Sequence, residues 1–249
     1  MSQDDIDSES QRIWNDLGLW WDSSVEDGDS FHKAFVFPTI ERFLDLKGGE
    51  SILDAGCGNG ALSRLMSSKG ANVMGVDFSS SLIQQARQRS NNIRFEEMSL
   101  TNEKQLFDLA LNEKFDRIVC SMVLHDMSSI DPFFKSLKLL LKPKGTFIFS
   151  IPHPCFNTPA TLFEPAGCIT IKNYIKSTTS KMCSKPNQPI KQLVFHRPMT
   201  EYFNSLIAVG MVMNGFEEPC VDPKESDNLW KMRSEIPPAL IARWVFMEN

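Results

Sequence analysis

The chain has 249 residues, with 26 Lys or Arg against 31 Asp or Glu and a formal net charge of −5. That length suits one α/β domain or two small ones, large enough to bury a core without a disulfide or metal staple, and the acidic balance argues against a protein held to nucleic acid by bulk charge. No apolar run approaches the ~20 residues that cross a bilayer, and the acidic start MSQDDIDSES is the reverse of a secretory signal or transit peptide.

In chain order, residues 1–10 read as a disordered tail and Gln11–Leu19 as a helix ending at Trp20-Trp21. Residues 22–30 form an acidic loop, and Ala34–Leu46 a helix stopped by Gly48-Gly49. Short apolar runs then alternate with helical patterns. Strands are predicted at Ser51–Ala55, Asn72–Asp77, Ile93–Glu97, Phe115–Met122 and Thr146–Ile151. Helices are predicted at Ala61–Ser68, Ser79–Arg89, Glu103–Leu111 and Ile130–Leu141, the last closed by Lys142-Pro143-Lys144-Gly145. Such alternation builds βαβ units and a parallel sheet covered on both faces. Residues 152–198 break the rhythm with seven prolines, which predicts an insertion on the sheet's rim. A hairpin near Ile169–Ile175 and a strand near Leu193–Phe195 are expected within it. A helix at Met199–Ala208 and strands at Phe216–Val221 and Leu240–Met247 complete the chain.

The net charge hides two opposed segments. Residues 1–30 carry nine acids and one base, Arg12, while 165–200 carries six bases and no acid. The six cysteines show no Cys-x-x-Cys pair and the four histidines lie far apart, so no metal site is expected. The cysteines read as reduced thiols of a cytoplasmic protein.

The strongest signal is LDAGCGNG at Leu53–Gly60, a strand end, a turn carrying Gly56, Gly58 and Gly60, and an immediate helix. Glycines let a ligand approach the main chain, and the helix beyond offers free N–H groups. A second strand ends in Asp77, where a carboxylate can accept both hydroxyls of a ribose. Gly56-x-Gly58-x-x-Ala61 also fits the dinucleotide fingerprint, so the loop alone leaves a nicotinamide site open beside an S-adenosylmethionine site. Asp54 favours the second, since an acid there receives the amino group of a methionine moiety whereas a pyrophosphate has no use for one. Neither tyrosine, Tyr174 or Tyr202, has a lysine four residues on, as a Tyr-x-x-x-Lys oxidoreductase needs.

These residues resemble the class I S-adenosylmethionine-dependent methyltransferases. LDAGCGNG looks like their first motif and GVDFS (Gly75–Ser79) like their second. FDRIVCSMVLHDM and LLKPKGTFIFSIPHP are similar to their fourth and fifth strand regions. The flanking WWD…FHKAFVFPTIERFL and HRPMTEYFNSLIAVG resemble a subgroup of small-molecule methyltransferases. The resemblance implies a Rossmann-like, seven-stranded, mostly parallel sheet with an antiparallel last strand and helices on both faces. It divides the chain into an N-terminal helical lid (1–46), a cofactor core (47–151), a substrate-side insertion (152–198) and a C-terminal part (199–249), in a single domain.

It also implies site roles. Asp54 and the loop Gly56, Cys57, Gly58, Asn59 and Gly60 hold the methionine part of the cofactor. Asp77 takes the ribose and Phe78 covers the adenine, flanked by Met98 and by Ser99, which stands where the family often has an acid. Cys120, Ser121 and Met122 end the fourth strand beside the sulfonium. The bound product is S-adenosylhomocysteine. Candidate bases or positioning groups follow strand ends, His125 and Asp126 after the fourth and His153 after the fifth. His153 is read both as base and as acceptor contact, and Trp20, Trp21, His32 and Arg197 are further expected acceptor contacts. The expected acceptor is a small molecule methylated on N or O by a monomer or homodimer, with no membrane and no nucleic-acid partner. A protein or RNA methyltransferase, or a non-catalytic regulator that binds the cofactor, is the alternative. The acidic start and the basic insertion are expected to meet across the acceptor pocket.

Overall fold

The computed structural model describes residues 2–159, 161–164, 168–221 and 231–247. Pro165, at the head of the basic stretch, lies outside them.

A seven-stranded sheet runs β10-β11-β5-β4-β1-β2-β3. Its members are β1 (Ser51–Ala55), β2 (Asn72–Asp77), β3 (Arg94–Glu97), β4 (Phe115–Ser121), β5 (Leu141–Pro152), β10 (Met211–Glu217) and β11 (Ala239–Phe246). Six strands are parallel and β11, wedged between β5 and β10, is antiparallel to both. The final strand is therefore internal, not an edge.

Alternation along the strands divides the core in two. Leu53, Ile118, Phe147, Phe149, Leu240 and Ala242 face one cluster, completed by α5 (Glu103–Asn112), α6 (Asp131–Leu140) and α7 (Met199–Ala208). Their immediate neighbours Ile52, Val119, Ile148 and Ile241 face the other, covered by α2 (Phe37–Leu44) and α3 (Ala61–Ser68). Helix α4 (Ser80–Arg89), capped by the Ser79 hydroxyl on Leu82 N–H, packs Ile83 and Ala86 with Phe95.

Several expectations need correction. The first ten residues are not a disordered tail: α1 spans Gln3–Val25. A capping box between Ser2 and Asp5 starts it, and Ile13 and Leu17 pack on Leu193 and Phe195 of the insertion. The predicted Ala34–Leu46 helix begins as a five-residue π turn, His32–Val36, before α2. β5 starts at Leu141, because Lys142–Gly145 bulges between two stretches paired with β4, with Lys144 at φ 64°. β10 lies earlier than predicted, bulged at Asn214 where its pairing with β11 shifts register. In the insertion, β6 (Thr161–Phe163) pairs with β7 (Ile169–Ile171), so the hairpin turns before 169 and not within 169–175. A second ribbon joins β8 (Thr178–Met182) to β9 (Gln192–His196). No helix among the described residues is long and apolar enough to cross a membrane.

Candidate active site

The turn after β1 is built for close approach. Gly56, Gly58 and Gly60 all have positive φ, and the Gly56 and Cys57 N–H groups donate to Val76 O at 2.7 and 2.9 Å. Nothing lies within 4 Å of where a Cβ on Gly58 would be, so open space fronts the loop. Asp54 and Asp77, at the ends of adjacent parallel strands, are buried (1% and 7% exposed). Asp54 accepts from Ser63 Oγ at 2.5 Å, and Asp77 accepts from the Gly58 and Ser79 N–H groups, both at 2.9 Å. Burial still dominates both carboxyls, lifting Asp54 to about 7, with help from Asp77, and Asp77 to about 6. A ligand carrying positive charge and hydroxyl or amine donors would relieve that cost.

Three adjoining hollows run along the carboxyl ends of the strands. An outer pocket of about 530 Å³ is lined by Asp77, Phe78, Met98, Ser99 and the start of α1. A throat of about 110 Å³ is lined by Asp54, Gly56, Cys57, Gly58, Asn59, Ser121 and Trp14. An inner cavity of about 590 Å³ has walls of Trp20, Trp21, Phe31, Phe195 and Tyr202, with His125, Gln192 and Arg197 among its polar groups. Gly56, Asp77 and Phe78 belong to both outer pocket and throat, while Trp21, His32 and Met122 belong to both throat and cavity. Asp126 lines all three. Met122 takes φ 57°, left-handed for a non-glycine residue, with its N–H donating to Ser150 O at 2.9 Å.

Three of the predicted site residues sit elsewhere. Cys120 is fully buried in the sheet core and lines none of these hollows. Gly60 caps α3, and a Cβ there would meet the Phe95 ring. His153 is 1% exposed and outside the cavity lining. Its Nδ1 accepts from the Cys155 N–H at 3.1 Å, which leaves Nε2 to donate to Glu218 at 2.6 Å. Both ring nitrogens are spent, so His153 braces the loop after β5 and the expectation of a base there is withdrawn. Arg197 lines the cavity, but its guanidinium is buried and donates to the carbonyls of Leu124, Met127 and Ser128, pinning the loop after β4.

That loop carries His125 and Asp126. His125 Nε2 lies 3.4 Å from Asp126 Oδ2, and its buried Nδ1 has no hydrogen-bond partner. Burial, with the nearby Arg197 charge, pushes His125 down to about 3. Burial lifts Asp126 to about 8, against a hydrogen bond from Gln192 and with a push from Asp77.

The residues that hold α1 over the site were not legible beforehand. Asp22 accepts both from Arg89, at 2.7 and 2.9 Å, and from Asn59 at 2.9 Å, tying the lid to the glycine loop. Gln11 donates to Phe78 O at 2.7 Å, Asn15 accepts from Ser79 Oγ at 3.0 Å, and Asp7 accepts from Thr101 and Ser128. The two charged segments do meet. Lys185 pairs with Asp29 at 2.5 Å and lies 5.0 Å over the Trp21 ring, and Lys181 pairs with Glu9 at 2.6 Å. Asp29 also accepts from His32 Nδ1 at 2.7 Å.

A glycine loop between two buried acids, at the carboxyl ends of a sheet with one antiparallel strand, defines a class of nucleoside-cofactor enzyme. Residues 46–207 match the family model for a methyltransferase domain. The chain is 31% identical over 186 residues to the ubiquinone biosynthesis O-methyltransferase of Coxiella burnetii (strain RSA 331 / Henzerling II), covering 72% of this chain and 76% of that protein. It superposes on an S-adenosylmethionine-dependent methyltransferase of Mesorhizobium loti with a TM-score of 0.68 at 24% identity, covering 84% of this chain and 96% of the other. A glycopeptide N-methyltransferase solved with S-adenosylmethionine gives 0.58 at 13% identity, covering 84% and 92%. The chain belongs to the class I S-adenosylmethionine-dependent methyltransferases and is an enzyme with that cofactor.

The residues present fit the cofactor. Besides Asp54, Asp77 and the open face of Gly58, two residues that line these hollows carry a buried polar atom without a protein partner: Trp14, in the throat lining, its indole N–H, and Ser10, in the outer-pocket lining, its hydroxyl.

Proposed function

We propose that the chain is a single-domain methyltransferase acting on a hydroxyl oxygen of a small, largely apolar molecule. The observation that carries this reading is the aromatic-walled inner cavity, which opens on the throat at Met122 and Asp126 and includes His125 in its lining. The name of the Coxiella relative, an O-methyltransferase, supports oxygen as the acceptor atom.

In this reading Asp54 and the Gly56–Gly60 loop hold the methionine end of the cofactor. Asp77 accepts from the ribose hydroxyls, and Phe78, Met98 and Ser99 surround the adenine. When bound, the cofactor supplies a methyl group already activated on a sulfonium. The chain's own residues orient the acceptor, exclude water and receive a proton. Trp20, Trp21 and Phe31 wall the acceptor in, beneath the clasp of Lys185 on Asp29. His125, in the cavity lining, is the group that would take the acceptor's O–H proton, and the cofactor would supply the methyl group and depart as S-adenosylhomocysteine. Asp126 Oδ2, 3.4 Å from His125 Nε2, would stabilise a charged imidazolium when ionised. Holding donor and acceptor in line provides most of the remaining acceleration.

The test is incubation with methyl-labelled S-adenosylmethionine and a panel of phenols, catechols, aliphatic alcohols and amines of matching size. Labelled methyl ethers and S-adenosylhomocysteine are expected in equal amounts. Label transferred only to amines, or only to added RNA or protein, would overturn the assignment.

A further inference from the structure

We propose that Asp126 is the counter-ion of the cofactor's sulfonium and the residue by which the site tells S-adenosylmethionine from S-adenosylhomocysteine: its carboxylate attracts the charged sulfur and loses that partner once the methyl has gone. This rests on the placement of the cofactor given above, ribose at Asp77 and methionine end at Asp54, and not on the choice of oxygen as acceptor atom.

The position follows from how the hollows join. A sulfonium sulfur carries three arms. In that placement the adenosyl arm lies in the outer pocket with Asp77 and Phe78, the aminocarboxypropyl arm in the throat with Asp54, and the methyl points into the inner cavity that takes the acceptor. The sulfur must therefore sit where the three hollows meet. Among the described residues, Asp126 alone lines all three. Asp77 lines two and Asp54 only the throat.

The fold gives this carboxyl a hydrogen bond but no cation. Oδ1 accepts from Gln192 Nε2 at 3.1 Å. His125 Nε2 is 3.4 Å from Oδ2, but burial holds that ring neutral, pushed down to about 3. Arg197, before α7, spends its guanidinium on the carbonyls of Leu124, Met127 and Ser128 and pairs with Glu201 at 3.2 Å. Lys185 of the insertion and His32 of the π turn are both held by Asp29. Tyr202 on α7 is buried and neutral, lifted to about 12. On α1, Asp7 is taken by Thr101 and Ser128. Asp54 and Asp77, at the ends of β1 and β2, are acids themselves. Burial accordingly raises Asp126 to about 8, with the Gln192 bond opposing and Asp77 adding to the rise.

A positive charge brought beside such a group favours its ionised form by about one to three pH units. Linkage returns the same factor to the ligand, so the ionised carboxyl binds the sulfonium about 10- to 1,000-fold more tightly than the protonated one does. The thioether of S-adenosylhomocysteine is neutral and gains nothing. Methylation of a hydroxyl turns the cation into that thioether and sets one proton free. Asp126, left without a counter-charge, takes up one proton, and the product loses a hold that the substrate had.

The test needs no acceptor. Titration calorimetry of the full-length chain, in buffers of different ionisation enthalpy, counts the protons released when each form of the cofactor binds. At pH 7 wild type should release about half to one proton more than Asp126→Asn on binding S-adenosylmethionine, and the same number on binding S-adenosylhomocysteine. The cofactor's own amino group titrates alike in both chains, so the comparison isolates the carboxyl. Asp126→Asn keeps the shape and the acceptor for Gln192. At pH 9 its affinity for S-adenosylmethionine should be at least about tenfold below wild type, with that for S-adenosylhomocysteine unchanged. The wild-type to variant ratio for S-adenosylmethionine should rise from pH 6 and level off above about 8. Gln192→Met, which leaves the carboxyl in place without its donor, should move the levelling up by about one pH unit, and it decides the matter if Asp126→Asn does not fold. Equal proton release by the two chains with S-adenosylmethionine, or a ratio that does not change with pH, overturns the proposal. Asp77→Ala should weaken both forms of the cofactor alike; if it weakens neither, the placement fails and the proposal with it. Failure of every hydroxyl acceptor would sink only the oxygen reading.

Discussion

Two neighbouring glycines should separate stability from cofactor binding. Gly56 has φ +79°, and a Cβ added there would lie 2.7 Å from Val123 Cγ1 and closer still to Cγ2. Gly58 has φ +55°, with nothing within 4 Å of the added atom. Both alanine variants carry the left-handed backbone cost of about 1–2 kcal/mol. Only Gly56→Ala adds overpacking against a β-branched side chain, about 1–3 kcal/mol more. In a chain of this size each kcal/mol moves the melting temperature by roughly 2–4 °C, so Gly56→Ala should melt about 2–12 °C below Gly58→Ala. Gly58→Ala, destabilised by the backbone cost alone, places its methyl in the throat proposed for the cofactor. Its affinity for S-adenosylhomocysteine should fall at least about tenfold, roughly 1.4 kcal/mol. Differential scanning fluorimetry without ligand and titration calorimetry with it read the two effects separately. Equal melting temperatures for the two variants, or wild-type affinity in Gly58→Ala, would refute the reasoning.

Two further outcomes concern charge. Asp22→Asn breaks the pair with Arg89, and since Arg89 is about a third exposed the loss is discounted to about 1–2 kcal/mol. Cofactor affinity should drop at least fivefold by calorimetry, whereas wild-type affinity would show that α1 needs no such tether. Burial works to raise the Asp22 carboxyl, but Arg89 and Asn59 prevail and leave it lowered. The stability it contributes is therefore present above the ordinary carboxylate pKa of about 4 and is lost as pH falls below it, so tryptophan fluorescence from α1 should hold constant between pH 8 and 5. Asp126 has the opposite sign. Its folded value, raised to about 8, means that the fold binds this proton more tightly than the unfolded chain does. Its contribution becomes a growing cost as pH rises from about 4 to 8. Asp126→Asn should raise the melting temperature at pH 8 and leave it unchanged at pH 4; the reverse pattern would contradict the placement of that carboxyl in a dry site.

Local pattern and tertiary outcome agreed best where a short segment carries its own signal. β1, β2 and α3 lie where predicted, because apolar alternation and glycine turns act within a few residues. α1 was missed at its start because the capping box is short and the force holding the tail is remote, in the contacts of Asp7 with Thr101 and Ser128. His153 between two prolines looked like a poised base, yet its ring is taken by Cys155 N–H and by Glu218, a residue 65 positions away.

The sequence by itself determined the cofactor loop, its two acids and the alternation that builds the parallel sheet, since each is written in neighbouring residues whose geometry the backbone enforces. Only the tertiary structure decided which polar groups are spent on partners within the fold. Arg197 and His153 were consumed as braces, while His125 kept an unpartnered nitrogen and Asp126 came to line all three hollows. The acidic start and the basic insertion, whose opposite charges the net value of −5 conceals, were brought together by the packing of α1 against β9. Burial is the physical reason: whether a side chain is spent on a neighbour or left free for a ligand depends on partners that folding brings from far along the chain.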